Sequence, residues 1–544
     1  MKKIIIVSLV ISSIITVIVG FIFNYCALPA WNIHSEGLWM FFIVEFLIFA
    51  SIYSVSCMIA MDDDCYAFGW IPFGLAVIVF LILLFGSSSL FQHQKLANIA
   101  QKEIGDWNTD MEAVENVSNI ALMDTETAKV FGERKLGSLS DLVSQYDLST
   151  SYTQINYQGS PMKVAPLEYD NFWKWNSNKV NGIPGYIIVD PVNTNATFIR
   201  LEKPIKYSPS ERFGRDLKRT LRREYPSYIF NNIYFEIDEE GNPYWVASVV
   251  EPTAGLFGGK VITGAVILDA CTGESQYYIP EEIPDWVDVV YDGDYITQCL
   301  DWNGMLKNGF WNSMFSAQGC TKCTNDYGYV TIGSDIWIYT GITSATADSS
   351  NIGVVLANER TFEIKYYEIA GADEKSAMAA AEGEVQQFGY VASFPSIINV
   401  NGEATYIMVL KDANNIVKEY AMVNVANYSK VVVAESQEEV FDKYAKKMGF
   451  YDLISEDVAV EEDNKEIVEE EVGALIDVQI TVDTVQFIVN NGNTTVYISS
   501  ADGKNYKSVF DEFWILVKIG DTVNAQYAET DAENEIVLLR NFSK

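Results

Sequence analysis

The stretch that decides the fold is YFEIDEEGNPYWVASV, residues 234–249. Apolar and polar residues alternate on both sides of Gly241, and the Asp, Asn and Gly residues between them are typical of a turn. This pattern predicts an antiparallel β-hairpin. It returns in IINVNGEATYIMVL, residues 397–410, where Gly402 takes the place of Gly241. Two hairpins with the same sequence pattern, together with the helical segments given below, indicate an α+β protein.

Both hairpins are preceded by two strands and a helix, and each is followed by a further strand. We therefore predict a duplicated α+β domain, with a first unit at residues 151–345 and a second at residues 346–455. The strand and helix segments are 185–190, 196–200 and 209–224 in the first unit, and 353–358, 362–367 and 374–388 in the second.

The flanking segments differ in composition from the two units. Residues 95–150 predict a helical stalk, and the acidic run at residues 456–472 predicts a linker. Residues 473–544 contain about five short strand patterns, which predict a small OB-like β-barrel. Its strands carry few basic residues, so we expect a packing or protein-contact module rather than a nucleic-acid binder.

The first 94 residues are a predicted membrane anchor. Three apolar runs, Ile4–Phe23, Gly37–Met61 and Phe68–Leu90, are each long enough for a transmembrane helix. Lys2 and Lys3 favour a cytoplasmic N-terminus, which places the main domain outside a bacterial cytoplasmic membrane. Lys95 and Lys102 favour the opposite orientation, so a domain that faces the cytoplasm stays open.

Glu45 lies inside the second apolar run. A carboxyl within a membrane helix is costly to bury and is a candidate functional group. Since the runs contain no second ionisable residue, we expect a structural carboxyl that meets Ser12 or Ser13 of a neighbouring helix, or a partner protein.

Charge and histidine content exclude several classes of function. The formal net charge is −36, which disfavours nucleic acid and anionic lipid over most of the surface. The chain has two histidines, and neither lies after His93. Imidazole catalysis and histidine-ligated zinc are therefore excluded from the main domain. We expect neither a metal nor a cofactor.

Four cysteines lie in the main domain, namely Cys271, Cys299, Cys320 and Cys323. In an exported domain they are candidates for two disulfides, with three alternative pairings, or for free thiols. Cys320 and Cys323 form a C-x-x-C motif in a Gly/Asn/Thr-rich loop, which favours a structural clip over a redox site. Zinc would require all four cysteines to converge.

The clearest candidate for a binding surface is a basic helix predicted at residues 209–224. Ser208 and Glu211 have the spacing of a capping box. A basic face of this kind suits an anionic partner, such as an anionic wall polymer, an acidic protein or lipid headgroups. The alternative is that it neutralises the protein's own carboxylates. The basic residues are Arg212, Arg215, Lys218, Arg219, Arg222 and Arg223.

Two further patterns predict structure more readily than chemistry. The stretch GLFGGKV, residues 255–261, has the wrong glycine spacing for a phosphate-binding loop and lacks its Ser/Thr, so it predicts a hairpin. Five tryptophans could line a binding surface, although we expect most of them in the core. They are Trp173, Trp175, Trp245, Trp302 and Trp311.

Several phrases carry a resemblance to a known group of proteins. They include IKYSPS at residues 205–210, FEIDEEGNPYW at residues 235–245 and DACTGESQ at residues 269–276. There the chain resembles an uncharacterised family of membrane-anchored proteins from Gram-positive bacteria, some of them labelled CvpA-like. The single units are similar to PepSY domains, which are small α+β modules of the cell envelope. The resemblance implies no catalytic residue.

These observations favour a non-catalytic binding or scaffolding protein of the cell envelope, whose partners are the membrane and other envelope proteins or an anionic polymer. A carboxylate-dependent glycan hydrolase is the second expectation, because carboxylates are abundant, and it requires two of them in one aromatic-lined cleft. A regulator that faces the cytoplasm is the third.

Overall fold

The computed structural model describes residues 2–59, 67–114, 117, 120–324, 326–453, 475–490, 493–509, 512–528 and 536–543. The chain divides into two compact units, Met1–Leu453 and Ile454–Lys544. The predicted linker at residues 456–472 lies outside the described residues.

The described residues include three helices that are long and apolar enough to cross a membrane, which confirms the three predicted spans. Many of their large apolar side chains are exposed, as expected of surfaces that lipid covers. The three helices are α1 (Lys2–Ala27), α2 (Glu36–Ile59) and α3 (Ala67–Gly86).

Glu45 faces α1 from the buried side of α2. A Cβ atom added at Gly20 would lie 3.0 Å from Glu45 Oε2, so the absence of a side chain at Gly20 makes room for the carboxyl. Neither Glu45 Oε1 nor Ser12 Oγ has a hydrogen-bond partner among the described residues. The expected pairing of Glu45 with Ser12 is therefore wrong. Ser12 lies about two helical turns away from the level of Gly20.

A segment of short elements follows α3. It comprises α4 (Ser89–Ala97), β1 (Glu103–Ile104), α5 (Trp107–Asp110), α6 (Thr125–Gly137) and β2 (Tyr146–Leu148).

The first α+β unit contains two antiparallel sheets among its described residues. One has the order β2-β4-β5-β6, with β3 paired to β4, and the other is the meander β7-β8-β9-β10. Trp175, Tyr186, Phe235 and Trp245 belong to their shared core. The elements are β3 (Thr153–Tyr157), β4 (Ser160–Tyr169), α7 (Phe172–Asn178), β5 (Ile183–Asp190), β6 (Asn195–Ile205), α8 (Leu217–Glu224), β7 (Ile229–Ile237), β8 (Pro243–Ala254), β9 (Gly258–Asp269) and β10 (Ser275–Tyr278).

The second unit repeats this plan after a helical connection. The connection comprises α9 (Gly293–Leu306) and α10 (Phe310–Phe315). The unit comprises β11 (Thr321–Cys323), β12 (Gly328–Ile332), β13 (Asp335–Ser344), β14 (Ala347–Asn358), β15 (Ile364–Tyr367), β16 (Gly371–Ala372), α11 (Glu374–Glu384), β17 (Val391–Ala392), β18 (Ser396–Val400), β19 (Glu403–Lys411), β20 (Val417–Asn424), β21 (Val431–Ala434) and α12 (Gln437–Met448).

The order of the main elements is the same in the two units, apart from α7 in the first and the short strands β16 and β17 in the second. A meander (β4-β5-β6 or β13-β14-β15) leads through a helix (α8 or α11) into a second meander (β7-β8-β9 or β18-β19-β20). The two corresponding turn glycines both have positive φ, +82° at Gly241 and +88° at Gly402. The hairpin prediction is correct at both places because these turns need the left-handed backbone that glycine adopts readily.

The unit boundaries differ from the predicted ones in two places. Strand β13 pairs with β14, so the sheet of the second unit begins before residue 346. Residues 95–150 do not stand apart as a stalk: β1 pairs in parallel with β15, and Ala113 forms a β-bridge with Asn399. Unpaired strand edges of the second unit offer these short segments backbone partners that a free stalk would lack.

The C-terminal unit is a mixed sheet with the strand order β26-β24-β23-β22-β25-β27 among its described residues. Its buried side chains include Trp514 and Val496. Two predicted strands are one long strand, β22, which bulges near Val482 and changes partner there from β25 to β23. The elements are β22 (Leu475–Asn490), β23 (Asn493–Ser500), β24 (Asn505–Val509), α13 (Glu512–Ile515), β25 (Thr522–Ala528), β26 (Ile536–Leu538) and β27 (Arg540–Ser543).

Candidate functional site

The predicted basic helix begins eight residues later than its sequence pattern suggests. Ser208 Oγ accepts the backbone N–H of Glu211 at 3.2 Å, but the chain then turns instead of continuing as a helix. Phe213 has a φ of +57°, which a helix does not tolerate. Asp216 is the true N-cap, because its side chain accepts the N–H of Arg219 at 2.9 Å, and α8 therefore starts at Leu217.

Glu211 is a buried anchor rather than a helix cap. Its carboxylate accepts hydrogen bonds from Trp175 Nε1 at 2.8 Å and from the Tyr169 hydroxyl at 3.2 Å. Arg215 Nε lies 3.6 Å from Glu211 Oε2, and the same guanidinium donates to the Lys179 carbonyl at 2.6 Å. Arg215 therefore compensates a buried charge, as the alternative interpretation of the basic helix expected.

Arg219 and Arg222 attach α8 to the end of the first membrane helix. Arg219 donates to the Tyr25 carbonyl at 2.5 Å, and its guanidinium lies 3.8 Å from the centroid of the Tyr25 ring. Arg222 donates to the Leu28 carbonyl at 3.1 Å. It also donates to three carbonyls just after α8, and burial lowers its pKa. These two arginines are joints between the anchor and the main domain.

The other three basic residues are exposed. Arg223 lies 3.3 Å from Glu224, an exposed pair that contributes little stability. Arg212 and Lys218 have no hydrogen-bond or ion-pair partner among the described residues. Of the six predicted binding residues, these two cations are the ones that stay available to a ligand.

Lys218 lines a cavity of about 820 Å³ at the junction between the anchor and the first unit. Residues Cys26–Leu28 at the end of α1 form one wall, and side chains from α8, β4, β7 and β8 form the others. Arg222 also lines this cavity, while Arg212, Arg215, Arg219 and Arg223 do not. We call it the membrane-facing cavity.

The lining of the membrane-facing cavity is mixed in charge and rich in hydrogen-bonding groups. Glu168 and Asp294 contribute carboxylates, and the Tyr327 hydroxyl donates to Asp294 at 3.3 Å. Burial, followed by neighbouring carboxylates, raises the pKa of Tyr234, so its hydroxyl stays protonated. The cavity also has an aromatic wall that includes Trp245. It can hold a polar molecule that carries a negative group, and its lining contains both carboxylates and aromatic side chains.

A cluster of buried carboxyls behind the cavity escaped the sequence-based prediction. Glu236 accepts the N–H groups of Asp288 at 2.8 Å and Val289 at 3.1 Å. Burial raises its pKa to about 8, and burial likewise raises the pKa of Asp288 and of Glu359. Glu236 therefore holds a proton near neutral pH, and burial favours the protonated form of Asp288 and Glu359. The alternation of apolar and polar residues in strand β7 does not reveal that Glu236 is buried, because both faces of the strand are buried at this position.

The four cysteines of the main domain are free, so the predicted disulfides are absent. Cys320 donates to the Met305 carbonyl at 3.4 Å and Cys323 to the Thr297 carbonyl at 3.8 Å. These carbonyls are eight residues apart on α9, about 12 Å along the helix, so the two thiols point to different places. Burial raises the pKa of Cys271 to about 11 and of Cys299 to about 12, which makes both poor nucleophiles. No cluster of three or more metal-ligating side chains occurs among the described residues.

The stretch at residues 255–261 forms the tip of the β8–β9 hairpin, as predicted, and docks on the membrane helices. Ser87 Oγ accepts the N–H groups of Leu256 at 2.9 Å and Phe257 at 3.1 Å. The Phe257 ring contacts Trp39 of α2 and Phe80 of α3. The hairpin is therefore a second joint to the anchor.

The tryptophans divide between core and surface. Trp175 and Trp245 are buried and Trp302 is half-buried, in line with a structural role. Trp173 and Trp311 are exposed by 74% and 63%. The sequence pattern does not distinguish the two groups.

No family model matches the chain, and no curated protein matches it. Among solved structures it is similar to a levansucrase complexed with sucrose and to Bacillus subtilis levansucrase. Each alignment has 9% identity and covers 79% of this chain and 97% of the levansucrase chain, with TM-scores of 0.17 and 0.15. Similarities this low carry no argument about fold or function.

Proposed function

We propose that the chain is a membrane-anchored, non-catalytic binding protein of the cell envelope, and that its ligand occupies the membrane-facing cavity. The observation that carries the proposal is the position of Lys218. Its ammonium group lacks a partner among the described residues, and the residue lines a cavity that Cys26–Leu28 of the anchor help to close. A bound molecule would contact the membrane anchor and the main domain at once.

The lining indicates the chemistry of the ligand. Lys218 suits an anionic group, and the protonated hydroxyl of Tyr234 suits an oxygen acceptor. The aromatic wall suits the apolar face of a sugar or a similar ring. A small anionic glycan unit of an envelope polymer has these features together.

The test is native mass spectrometry of the full chain, purified from its own membranes in mild detergent. We expect a non-covalently bound small molecule on the wild type and its loss from a Lys218→Gln variant. The matched control is Lys375→Gln, which removes an exposed lysine from helix α11 of the second unit. An equal fraction of protein with the small molecule bound in the wild type and in Lys218→Gln would refute the proposal.

The second candidate is a glycan hydrolase, which the presence of Glu168 and Asp294 in one cavity favours. The test is the release of reducing ends from purified wall glycan by the full chain in nanodiscs. If the protein is a hydrolase, the wild type releases reducing ends, and Glu168→Gln and Asp294→Asn each abolish this release. If the wild type releases no reducing ends, the hydrolase function is excluded and the non-catalytic function remains.

The orientation and the finer fold assignments are part of the same proposal. Lys2 and Lys3 support a main domain outside the cytoplasm. Protease shaving of intact cells should remove a C-terminal tag; protection of that tag would favour the regulator that faces the cytoplasm. We further propose that the two α+β units are PepSY-like duplicates and that residues 475–543 are OB-like.

A further inference from the structure

An exposed aromatic surface lies next to the first turn of α8. Trp173 is 74% exposed, Phe213 60% and Phe172 45%. Their rings form a continuous chain through the buried Trp175, with centroid distances of 5.5 Å from Phe172 to Trp173, 5.4 Å from Phe172 to Trp175, and 5.8 Å from Trp175 to Phe213. We call Phe172, Trp173 and Phe213 the aromatic surface.

The backbone adopts an unfavourable conformation at Phe213, one of the exposed rings. Phe213 has a φ of +57°, a conformation that bulky residues rarely adopt. The adjacent Glu211 holds Trp175 in place through a 2.8 Å hydrogen bond, so the aromatic surface stands on a rigid base. Such strain in an exposed aromatic residue points to a function for its position.

Several contacts place α8 beside the end of α1. Arg219 binds the carbonyl of Tyr25, and Arg222, three residues later, binds the carbonyl of Leu28, three residues after Tyr25. The Trp31 N–H donates to the Pro226 carbonyl at 2.8 Å and the Asn32 side-chain amide donates to the Ser227 carbonyl at 3.0 Å, so the chain just after α8 contacts the connection between α1 and α2. Helix α8 therefore lies beside the C-terminal end of α1, where α1 would leave the bilayer, and Phe213 lies four residues before Leu217, the first residue of α8.

The charges around the aromatic surface suit a lipid headgroup region. Arg212 is adjacent to Phe213 and has no partner among the described residues, and the Lys179 ammonium lies 4.8 Å from the centroid of the Trp175 ring. Aromatic rings with basic neighbours are typical of the membrane interface. These two cations contrast with the net charge of −36 over the whole chain.

We propose that the aromatic surface inserts into the interface of the same bilayer that α1 crosses, with Arg212 at the depth of the phosphate groups. The bilayer is the partner because the aromatic surface adjoins α8, which Arg219 and Arg222 hold against the end of α1. This docking would hold the membrane-facing cavity at the membrane surface, and it does not depend on whether the cavity is occupied.

The test places a photo-reactive p-benzoylphenylalanine at Phe213 or at Trp173 of the full chain in nanodiscs that contain phosphatidylglycerol. The matched control carries the same residue at Phe388, which is 56% exposed and belongs to the second unit. After irradiation we expect several-fold more lipid adduct, by intact mass, at positions 213 and 173 than at position 388. Equal adduct at the three positions would overturn the proposal, as would cross-linking of positions 213 and 173 to protein instead of lipid.

A second variant tests the charge component. Arg212→Gln in the Phe213 cross-linker background should reduce adducts with phosphatidylglycerol and leave adducts with phosphatidylcholine unchanged. An equal adduct with phosphatidylglycerol before and after the change would refute the role of Arg212. Native mass spectrometry of the same variants separates this result from the proposed function, because the cavity ligand should stay bound.

Discussion

Replacement of Arg222 by methionine tests how the main domain is held on its anchor. The guanidinium donates to the Leu28 carbonyl at 3.1 Å, which joins α8 to α1. It also donates to the carbonyls of Tyr225 at 3.3 Å, Pro226 at 3.2 Å and Tyr228 at 2.6 Å, which fixes the connection into β7. Methionine keeps much of the apolar stem and removes all four bonds.

The expected loss follows from these contacts. A hydrogen bond from a charged donor contributes roughly 1.5–3 kcal/mol when measured by deletion. Four carbonyls share one half-buried guanidinium, and water can replace part of the lost bonding. We therefore expect Arg222→Met to lower the unfolding free energy of the domain by about 3 kcal/mol, near the upper end of ordinary substitutions.

The assay is urea unfolding of the full chain in detergent, followed by tryptophan fluorescence. The matched control is Lys218→Met on the same helix, which removes an unpartnered cation and should change the unfolding free energy by less than about 0.5 kcal/mol. Equal midpoints for Arg222→Met and the wild type would refute the view that this arginine joins anchor and domain.

Two further predictions concern the hairpin tip and the buried carboxyls. Gly255→Val should destabilise the domain by about 3 kcal/mol in the same assay, since a Cβ atom at Gly255 would lie 2.6 Å from Ser87 Oγ and φ is +70°. Gly159→Val, where φ is +76° and nothing lies within 4 Å, should cost clearly less; equal losses would argue against docking on Ser87. Glu236 has a pKa of about 8 in the folded protein against an ordinary 4.5, so the folded state binds the extra proton between these values. Its contribution to stability is therefore present below about pH 4.5 and falls as pH rises to about 8. Thermal midpoints should fall over that window, and Glu236→Gln should flatten the fall; an unchanged slope would contradict the assignment.

The sequence predicts those parts of the fold that local pattern controls. The membrane helices follow from uninterrupted apolar runs, and the hairpins at Gly241 and Gly402 follow from alternation and turn glycines. Both features depend on residues a few positions apart, so one chain segment contains all the information that they need.

The start of α8 could not be predicted from pattern alone. The capping-box spacing predicts an N-cap at Ser208, whereas Asp216 caps α8 in the structure, and both residue types suit the role. The choice depends on the burial of Glu211 beneath Trp175, which brings together residues 36 positions apart. A tertiary contact of that range leaves no local signal.

The membrane-facing cavity was unpredictable for the same reason. Cys26, Glu168, Lys218 and Asp294 come from distant segments and meet only after the main domain has packed on the end of α1. The sequence also left disulfides and free thiols open as alternatives, since spacing alone does not show where a thiol points; the four cysteines are free. Composition drew attention to the basic segment, but it could not separate Lys218, which lines the cavity, from the arginines that contact the end of α1.

The central claim is that a ligand occupies the membrane-facing cavity and is held there by Lys218. Cys26 lines this cavity and is an exposed free thiol, so its alkylation rate reports occupancy. The measurement is maleimide labelling of Cys26 in the full chain in nanodiscs, by peptide mass spectrometry, with and without the small molecule released from denatured wild-type protein. We predict that the molecule slows labelling several-fold in the wild type and leaves it unchanged in Lys218→Gln. Labelling of the wild type at the same rate with and without the molecule would contradict the claim.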